Sequence, residues 1–237
     1  MRKPTQRKGN KKRRKAIINA SLPSASKRPL HIKRHSFAHL KKNEDFLAIV
    51  KVGRLVNAVA FGMQALHDYV DNNSPVGKRQ RNRATFITGG YLYEGLELVA
   101  SLRRHYHMEK YFDELKHLTY SEEYILERRI LKEMRNIAAF HLDSDDKSTR
   151  SAMANLKLTK YELASGETSR IADFYFNFAD TVDLNRIIDV IKRDESEEEV
   201  VQYISRTLTT FMPRFIRGGH DFLEGLSIKI KLSDYTA

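Results

Sequence analysis

Apolar residues recur at helical spacing in the first part of the chain that carries a regular pattern. They follow one another every three or four positions, so they lie on one face of a helix. Asn43 stands before them as a helix-capping residue, and Glu44 and Asp45 occupy the first turn, where the helix dipole favours acids. We predict a long amphipathic helix whose apolar face comprises Val52, Val56, Val59, Met63, Leu66 and Val70.

A polar run from Asp71 to Pro75 ends this helix, and a second helical pattern follows it. Three glycines, Gly89, Gly90 and Gly95, lie inside the second pattern. Each weakens a helix by roughly 1 kcal/mol relative to alanine, so we expect them to mark the close approach of another helix. The apolar positions of this second helix are Ile87, Tyr91, Leu92, Leu96, Val99 and Leu102.

A third helix is predicted to begin at Thr119, after a short piece over residues 108–118. Thr119 and Glu122 have the spacing of a capping box, in which the first side chain caps the helix and the glutamate reaches back to it. The acidic run of residues 143–146 ends the pattern. One face of this helix carries Leu126, Ile130, Met134, Ile137 and His141.

The spacing of apolar residues changes beyond a short helix predicted over residues 148–156. Apolar positions on either side of Ser165 and Gly166 follow a shorter period, which predicts a small β-hairpin over residues 155–178. Residues 171–178 fit a helix as well, so that alternative stays open.

Two further helices are predicted in the C-terminal part, residues 182–237. The first covers residues 182–191, and the second covers residues 197–226 and is bent or broken near Pro213. We therefore predict a mainly α protein, with one helical domain over residues 43–237 and the hairpin as an accessory. A chain of this length can bury one substantial core.

Positive charge is concentrated at the N-terminus. Residues 1–42 contain 15 of the 42 lysines and arginines and no acid, whereas residues 43–237 carry a net charge of −3. The formal net charge of +12 is therefore a property of the N-terminal segment, which excludes a uniformly basic fold. With few large apolar residues, residues 1–42 are predicted to be a disordered basic tail.

Composition excludes several other classes. The chain has no cysteine, so no disulfide or cysteine-ligated zinc site is possible. Lys51 and Arg54 interrupt the longest apolar stretch, so no membrane span is expected. The N-terminus lacks the apolar core of a secretory signal, and an organelle transit peptide is disfavoured by its lysine clusters. A cytoplasmic location is the expectation.

The candidate for chemistry is the segment from Arg135 to His141, at the end of the third predicted helix. Histidine titrates near neutral pH and suits proton transfer, whereas arginine presents a fork of donors to phosphate oxygens. Asn136 could orient either side chain. Six helical residues place Arg135 and His141 roughly 120° apart and about 9 Å along the axis. One copy is thus a poor site, and two copies would make a better one.

This segment resembles the signature of the HEPN superfamily (higher eukaryotes and prokaryotes nucleotide-binding domains), in which arginine, usually followed by a polar residue, precedes histidine by a short spacer. The resemblance covers roughly residues 43–142 as a helical arrangement. It implies a HEPN-like bundle and a homodimer whose paired motif helices form a composite, metal-independent endoribonuclease site. Arg135, Asn136 and His141 would be its catalytic residues, with no metal or cofactor, in a toxin or defence factor with an unidentified inhibitor.

The same residues have a structural interpretation. His141 continues an apolar stripe, where histidine is commonly a core residue, and Arg135 near a helix C-terminus interacts favourably with the dipole. The spacing alone is not specific, because Arg214 and His220 satisfy it too. The alternative to catalysis is therefore a non-catalytic nucleic-acid-binding or regulatory HEPN-like module, and a helical scaffold is a third, weaker hypothesis.

Basic residues elsewhere are candidates for binding RNA. The tail can neutralise phosphates and give salt-sensitive affinity without sequence preference, although nuclear or ribosomal targeting fits its composition equally. A cluster with three histidines between Arg103 and His117 fits a surface or RNA contact better than a metal site. The proposed nucleic-acid contacts are Lys11, Lys12, Arg13, Arg14 and Lys15 in the tail and Lys78, Arg79, Arg81 and Arg83 at the start of the second helix.

Overall fold

The computed structural model describes residues 32–137, 153–154, 177–191 and 197–235. These residues are mainly helical and contain no strand, which confirms the predicted mainly α class. Short 3₁₀ helices at Lys110–Phe112, Glu122–Tyr124 and Leu232–Tyr235 join or end the longer elements. The α-helices are α1 (Arg34–Leu40), α2 (Glu44–Tyr69), α3 (Pro75–Tyr106), α4 (Asp113–Tyr120), α5 (Ile125–Arg135), α6 (Asn177–Ile191) and α7 (Glu197–Lys229).

The first two predicted helices are confirmed, including the signals that begin them. The Asn43 side chain accepts a hydrogen bond from the backbone N–H of Phe46 at 3.0 Å, so it caps α2 as expected. Ser74 caps α3 in the same way by accepting from the Gly77 N–H at 3.0 Å, and Pro75 occupies the first helical position. The polar run between the helices therefore ends α2 and also supplies the cap and first residue of α3.

The core forms where α2, α3 and α7 pack against one another, with α5 against α3. Val52, Val56 and Val59 of the predicted stripe are at most 3 % exposed, and Phe215 and Phe222 of α7 are equally buried. Helix α7 continues through Pro213 without interruption, so of the two predicted alternatives, a bend or a break, the break is wrong. Burial of the residues on both sides of the proline stabilises the helix enough to offset one missing backbone hydrogen bond.

Two of the three glycines in α3 mark close packing, as predicted. A Cβ atom on Gly89 would overlap the side chain of Met134 in α5, and one on Gly95 would overlap the ring of Phe215 in α7. The glycines therefore allow α3 to approach both neighbouring helices, and α5 is held close to α3 near its C-terminal end.

The predicted start of the third helix is wrong. Thr119 lies inside α4, where its hydroxyl donates to the Leu115 carbonyl at 2.8 Å and so cannot cap a following helix. Ser121 accepts from the Glu123 N–H at 3.3 Å instead, and α5 begins at Ile125. The predicted apolar face is nevertheless correct for the described residues, since Ile130 and Met134 are at most 1 % exposed.

Helical structure begins before Asn43, so the predicted tail boundary at residue 42 is wrong. Helix α1 covers Arg34–Leu40, and Leu40 is only 2 % exposed. The Lys33 N–H donates to the Tyr235 carbonyl at 3.0 Å, which ties this segment to the C-terminal 3₁₀ helix. Burial of one leucine and this contact order a stretch that its charge alone would leave exposed. Residues 1–31 lie outside the described residues.

The predicted hairpin is not tested over most of its length. Residues 155–176 and most of the short helix predicted over residues 148–156 lie outside the described residues. Asn177 and Phe178 belong to α6, so the C-terminal end of the predicted hairpin is helical. Of the helices predicted in this part of the chain, residues 182–191 and 197–226 are confirmed within α6 and α7.

Helix α2 is the one described helix that is long and apolar enough to cross a membrane, with a mean hydropathy of 1.6 over its most apolar 18 residues. Only 33 % of that window is buried in the bundle. A single helix of this kind is weak support for a membrane span, because core helices of folded proteins have the same composition. Leu47, Val50 and Phe61 are the large apolar side chains within α2 that are exposed, so part of its apolar surface faces outward.

Candidate active site

Ion pairs fix the C-terminal end of α5, where the motif begins, on two sides. The Arg135 Nε atom donates to Glu94 Oε1 of α3 at 2.8 Å. Two residues earlier, Glu133 Oε1 accepts from Arg186 Nε and Nη2 of α6, both at 2.8 Å. The Glu133 and Arg186 side chains are only 17 % and 10 % exposed, so this second pair is the more buried of the two. The end of the motif helix is therefore clamped between α3 and α6.

Arg135 uses little of its donor capacity. Besides the bond to Glu94, its Nη1 lies 3.5 Å from Asn136 Oδ1, at the limit of a hydrogen bond. Among the described residues, Nη2 has no hydrogen-bond partner. The side chain is 26 % exposed. A fork of N–H donors is thus held at Nε and, more weakly, at Nη1, while Nη2 keeps its donors without a partner among the described residues.

Asn136 lies at the point where the helix changes geometry. Residues 136 and 137 continue α5 in a wider π-helical turn, a feature that occurs frequently at functional sites. The Asn136 amide donates to Glu133 Oε2 at 3.4 Å, while its carbonyl oxygen faces Arg135. The asparagine therefore bridges the two clamping ion pairs, and its role in orienting a catalytic side chain stays a prediction.

His141 lies outside the described residues, so the structure brings together two of the three predicted catalytic residues, Arg135 and Asn136. Ile137, the last described residue of the predicted face, packs against the core.

Tyr93 adds a titratable group near Arg135. Burial raises the pKa of the Tyr93 hydroxyl above its ordinary value, and its hydrogen bond and charge interaction with Glu97 raise it further. The nearby Arg135 guanidinium acts in the opposite direction. Tyr93 therefore remains neutral near pH 7 and can serve the site only as a hydroxyl donor or acceptor.

The predicted basic patch lies at the N-terminal end of α3. Lys78 and Arg83 are exposed, whereas Arg79 and Arg81 are half-buried, and Arg81 donates from Nη1 to the Val70 carbonyl at 3.3 Å. Arg83 lies on the same face of α3 as Glu94 and about 16 Å from it along the axis, because eleven residues separate them. The predicted contacts Lys11, Lys12, Arg13, Arg14 and Lys15 lie outside the described residues.

A second polar cluster, absent from the sequence predictions, surrounds Arg214 of α7. Its guanidinium donates to both carboxylate oxygens of Glu114, at 2.5 and 3.3 Å, and to the Tyr124 hydroxyl. Its Nη2 also lies 3.0 Å from His117 Nδ1. The bond to Glu114 is the main reason that the pKa of Arg214 is raised. Sequence separations near 100 residues explain why no motif revealed this cluster.

No group of three histidine, cysteine or carboxylate side chains in the described part of the chain is arranged to hold a metal ion. The histidines between Arg103 and His117 do not converge on one point there. His105 and His107 are exposed at the end of α3, whereas His117 faces Arg214.

Sequence reasoning also missed the partners of Arg135. Glu94 is 41 residues away along the chain and Arg186 of the second clamp is 53 residues from Glu133, so no local spacing could pair them. The one available signal is that Glu94 is an acid flanked by the buried positions of α3. No family model, curated protein sequence or solved structure matches this chain.

Proposed function

We propose that this protein is a metal-independent endoribonuclease of the HEPN type, with Arg135, Asn136 and His141 as the cleaving residues of a site shared by two copies. The observation that carries the proposal is the state of Arg135. Glu94 accepts a hydrogen bond from its Nε at 2.8 Å, and its Nη2 has no hydrogen-bond partner among the described residues. A positioned, partly exposed arginine is suited to bind a phosphate group.

Cleavage would follow from the chemistry of these groups. The ribose 2′-oxygen attacks the adjacent phosphorus as its proton is taken by a base, and the bond to the 5′-oxygen of the next nucleotide breaks as that oxygen gains a proton. His141 of one copy suits one of these proton transfers and His141 of the second copy suits the other. Arg135 would stabilise the charge on the phosphate oxygens. The products are a 2′,3′-cyclic phosphate and a 5′-hydroxyl.

Glu94 supports this role by fixing Arg135 before substrate arrives. A donor that is already oriented needs no reorganisation as charge develops, which is the main source of electrostatic catalysis. The Glu94 carboxylate also reduces the net positive charge, so Arg135 would bind a phosphate diester without holding it too tightly for release. Asn136 would keep the guanidinium plane in position through the bond from Nη1.

Cleavage of single-stranded RNA by the full-length protein in the presence of EDTA tests the proposal. We expect shortened RNA ending in 2′,3′-cyclic phosphate, and we expect Arg135→Ala/His141→Ala to abolish it. The matched control is Arg214→Ala/His220→Ala, which removes the same residue types at a similar spacing from α7. Equal cleavage by the Arg135/His141 variant and wild type would overturn the assignment.

The alternative is a non-catalytic nucleic-acid-binding module. It is favoured by the intrachain bonds of Arg135 and Asn136 to Glu94 and Glu133, which also suit a purely structural role. In that case the tail carries the function, since residues 1–31 contain 11 lysines and arginines and no acid.

Deletion of residues 1–31 separates the two functions while keeping α1 and its buried Leu40. The truncated protein should bind RNA more weakly and with a smaller dependence on salt, because fewer counterions are released. If the proposed function is correct, the truncated protein still cleaves RNA when its concentration is raised. If wild type binds RNA without cutting it and deletion abolishes binding, the alternative is correct.

A further inference from the structure

The outer side of the α2/α3 pair is an open groove. The two helices meet closely where a Cβ atom on Gly62 would overlap Thr88, and further along they border two adjoining cavities of about 600 and 520 Å³. The cavities share Lys51 as a lining residue, so they adjoin along the two helices. We call this surface, from residue 44 to 61 of α2 and from residue 87 to 105 of α3, the α2/α3 face.

Apolar side chains are exposed along the α2/α3 face. Phe61 is 74 % exposed, and Leu47, Val50 and Ile87 are 40–43 % exposed. Leu47 and Phe61 lie on one stripe of α2, because fourteen residues correspond to almost four complete turns. Since the most apolar window of α2 is only one-third buried, this face contains the apolar surface of α2 that the bundle leaves uncovered. Such surface marks an interaction site.

The two walls of the groove carry opposite charges. Lys51 and Arg54 line it from α2, and Glu94 and Glu97 line it from α3. No ion pair joins the two walls in the part of the chain that the structure describes. Two cations one turn apart therefore lie parallel to two carboxylates one turn apart, which is an arrangement complementary to itself.

We infer that the α2/α3 face is the surface through which two copies of this chain associate, about a two-fold axis parallel to the groove. Rotation about that axis places α2 of one copy opposite α3 of the other, at the same height along the groove. Lys51 and Arg54 of each copy then face Glu94 and Glu97 of its partner, so the ionic contacts form twice. The exposed Phe61 and Leu47 side chains become buried in a four-helix arrangement.

The charges distinguish this occupant from a lipid bilayer. Lys51 and Arg54 lie midway along the apolar stripe, where a bilayer would bury them without partners at a cost of several kcal/mol. A second copy supplies a carboxylate for each. An unrelated partner would need the same spacing of acids and bases, which this chain already presents.

The surface adjoins the candidate active site through Glu94. Its Oε1 accepts from Arg135, and the same side chain lines the groove and is 41 % exposed. Association would bring the Glu94–Arg135 pairs of the two copies to the same interface. The inference rests on the proposed function only for the role of the dimer in cleavage, because the surface itself follows from charge and exposure.

Molar mass measured by light scattering at micromolar concentration tests the inference. The molar mass of full-length wild type should be near twice the 27.5 kDa of one chain. Lys51→Glu/Arg54→Glu and Glu94→Lys/Glu97→Lys should each be monomeric, because like charges then face each other. An equimolar mixture of the two variants should recover the dimer, since the acidic walls of one variant then face the basic walls of the other across both contacts. Far-UV circular dichroism verifies that each variant is folded.

A pair of apolar substitutions provides the second arm. Phe61→Ser should raise the dissociation constant of the dimer at least tenfold. Val201 is an exposed residue near the N-terminal end of α7 and outside the α2/α3 face, so Val201→Ser should leave the dimer intact. A monomeric wild type, or a dimer that both charge reversals leave unchanged, would overturn the inference. So would a wild-type monomer that sediments with phosphatidylglycerol vesicles in a Phe61-dependent way. Mass and RNA cleavage are read separately, so a dimer that does not cut RNA refutes only the proposed function.

Discussion

Two arginine–glutamate pairs in this protein have the same composition and different surroundings. Arg135 of α5 pairs with Glu94 of α3, and Arg214 of α7 pairs with Glu114 of α4. Each joins helices that are distant in sequence, and each arginine side chain is 26 % exposed. By residue type, exposure and partner, nothing distinguishes them.

The difference lies in how many donors each arginine has committed. Arg214 directs donors to both oxygens of Glu114, to the Tyr124 hydroxyl and to His117, and its guanidinium also lies 5.3 Å from the centre of the Tyr124 ring. Arg135 has one bond at 2.8 Å and one at 3.5 Å. Since arginine only donates, Arg214 holds its helices together, whereas Arg135 retains donors that can bind a phosphate.

The largest expected difference between the two regions is in the RNA cleavage rates of variants at His141 and His117. We expect His141→Ala to lower the rate of RNA cleavage about 10³-fold, because loss of a general acid or base has effects of this size. His117→Ala should stay within about twofold of wild type, because its Nδ1 is occupied by Arg214 and it performs no proton transfer. The rates are measured on one fluorescent RNA in EDTA. Equal losses in the two variants would remove the distinction between the regions.

Loss of stability should be larger at Arg214 than at Arg135, which is the reverse of the order expected for cleavage. Arg214→Ala leaves Glu114, Tyr124 and His117 without their shared donor, so we expect a loss of about 2 kcal/mol in the free energy of unfolding. Arg135→Ala removes one ion pair with a 41 % exposed glutamate and should cost less than about 1 kcal/mol. Urea denaturation at neutral pH measures both. A larger loss for Arg135→Ala would show that Arg135 is the structural residue.

The sequence predicts the helices better than it predicts either pair. Most of the apolar stripes of α2 and α3 and the cap at Asn43 follow from local spacing, and so does the close packing at Gly89 and Gly95. Val70 and Ile87 of the predicted stripes are exposed instead. Thr119 was misassigned because its hydroxyl bonds to the preceding turn at Leu115 instead of capping the next helix. Such choices depend on neighbours that sequence spacing does not specify.

The candidate site was predictable only in part, for a related reason. Arg135 and Asn136 are identifiable as a motif, but Glu94, which holds Arg135, is brought to it by the packing of α5 on α3. The Arg214 cluster depends entirely on such long-range contacts. The tail boundary failed because one buried residue, Leu40, orders a helix within a basic stretch.

The smallest expected difference is in how Tyr124, beside Arg214, and Tyr93, near Arg135, affect stability at alkaline pH. The pKa of Tyr124 is raised, first by its hydrogen bond with Glu123 and then by burial, and the pKa of Tyr93 is raised mainly by burial. The unfolded chain therefore releases these protons first as pH rises through about 10, and stability that is complete below this pH is lost above it.

Tyr124→Phe and Tyr93→Phe should each reduce the decrease in the free energy of unfolding with rising pH, by up to about 1.4 kcal/mol per pH unit. Unfolding by urea between pH 9 and 11 measures the slope. A slope that neither substitution changes would show that other groups control alkaline stability.

The most direct test of the distinction is the pair Arg135→Lys and Arg214→Lys, each assayed for kcat/KM on one RNA in EDTA and for thermal midpoint. Lysine keeps the charge and removes the fork of donors. We predict that Arg135→Lys lowers kcat/KM about 10²- to 10³-fold with an almost unchanged midpoint. Arg214→Lys should lower the midpoint and leave kcat/KM within about twofold. Full activity of Arg135→Lys, or equal losses in both variants, would contradict a substrate-facing role for Arg135.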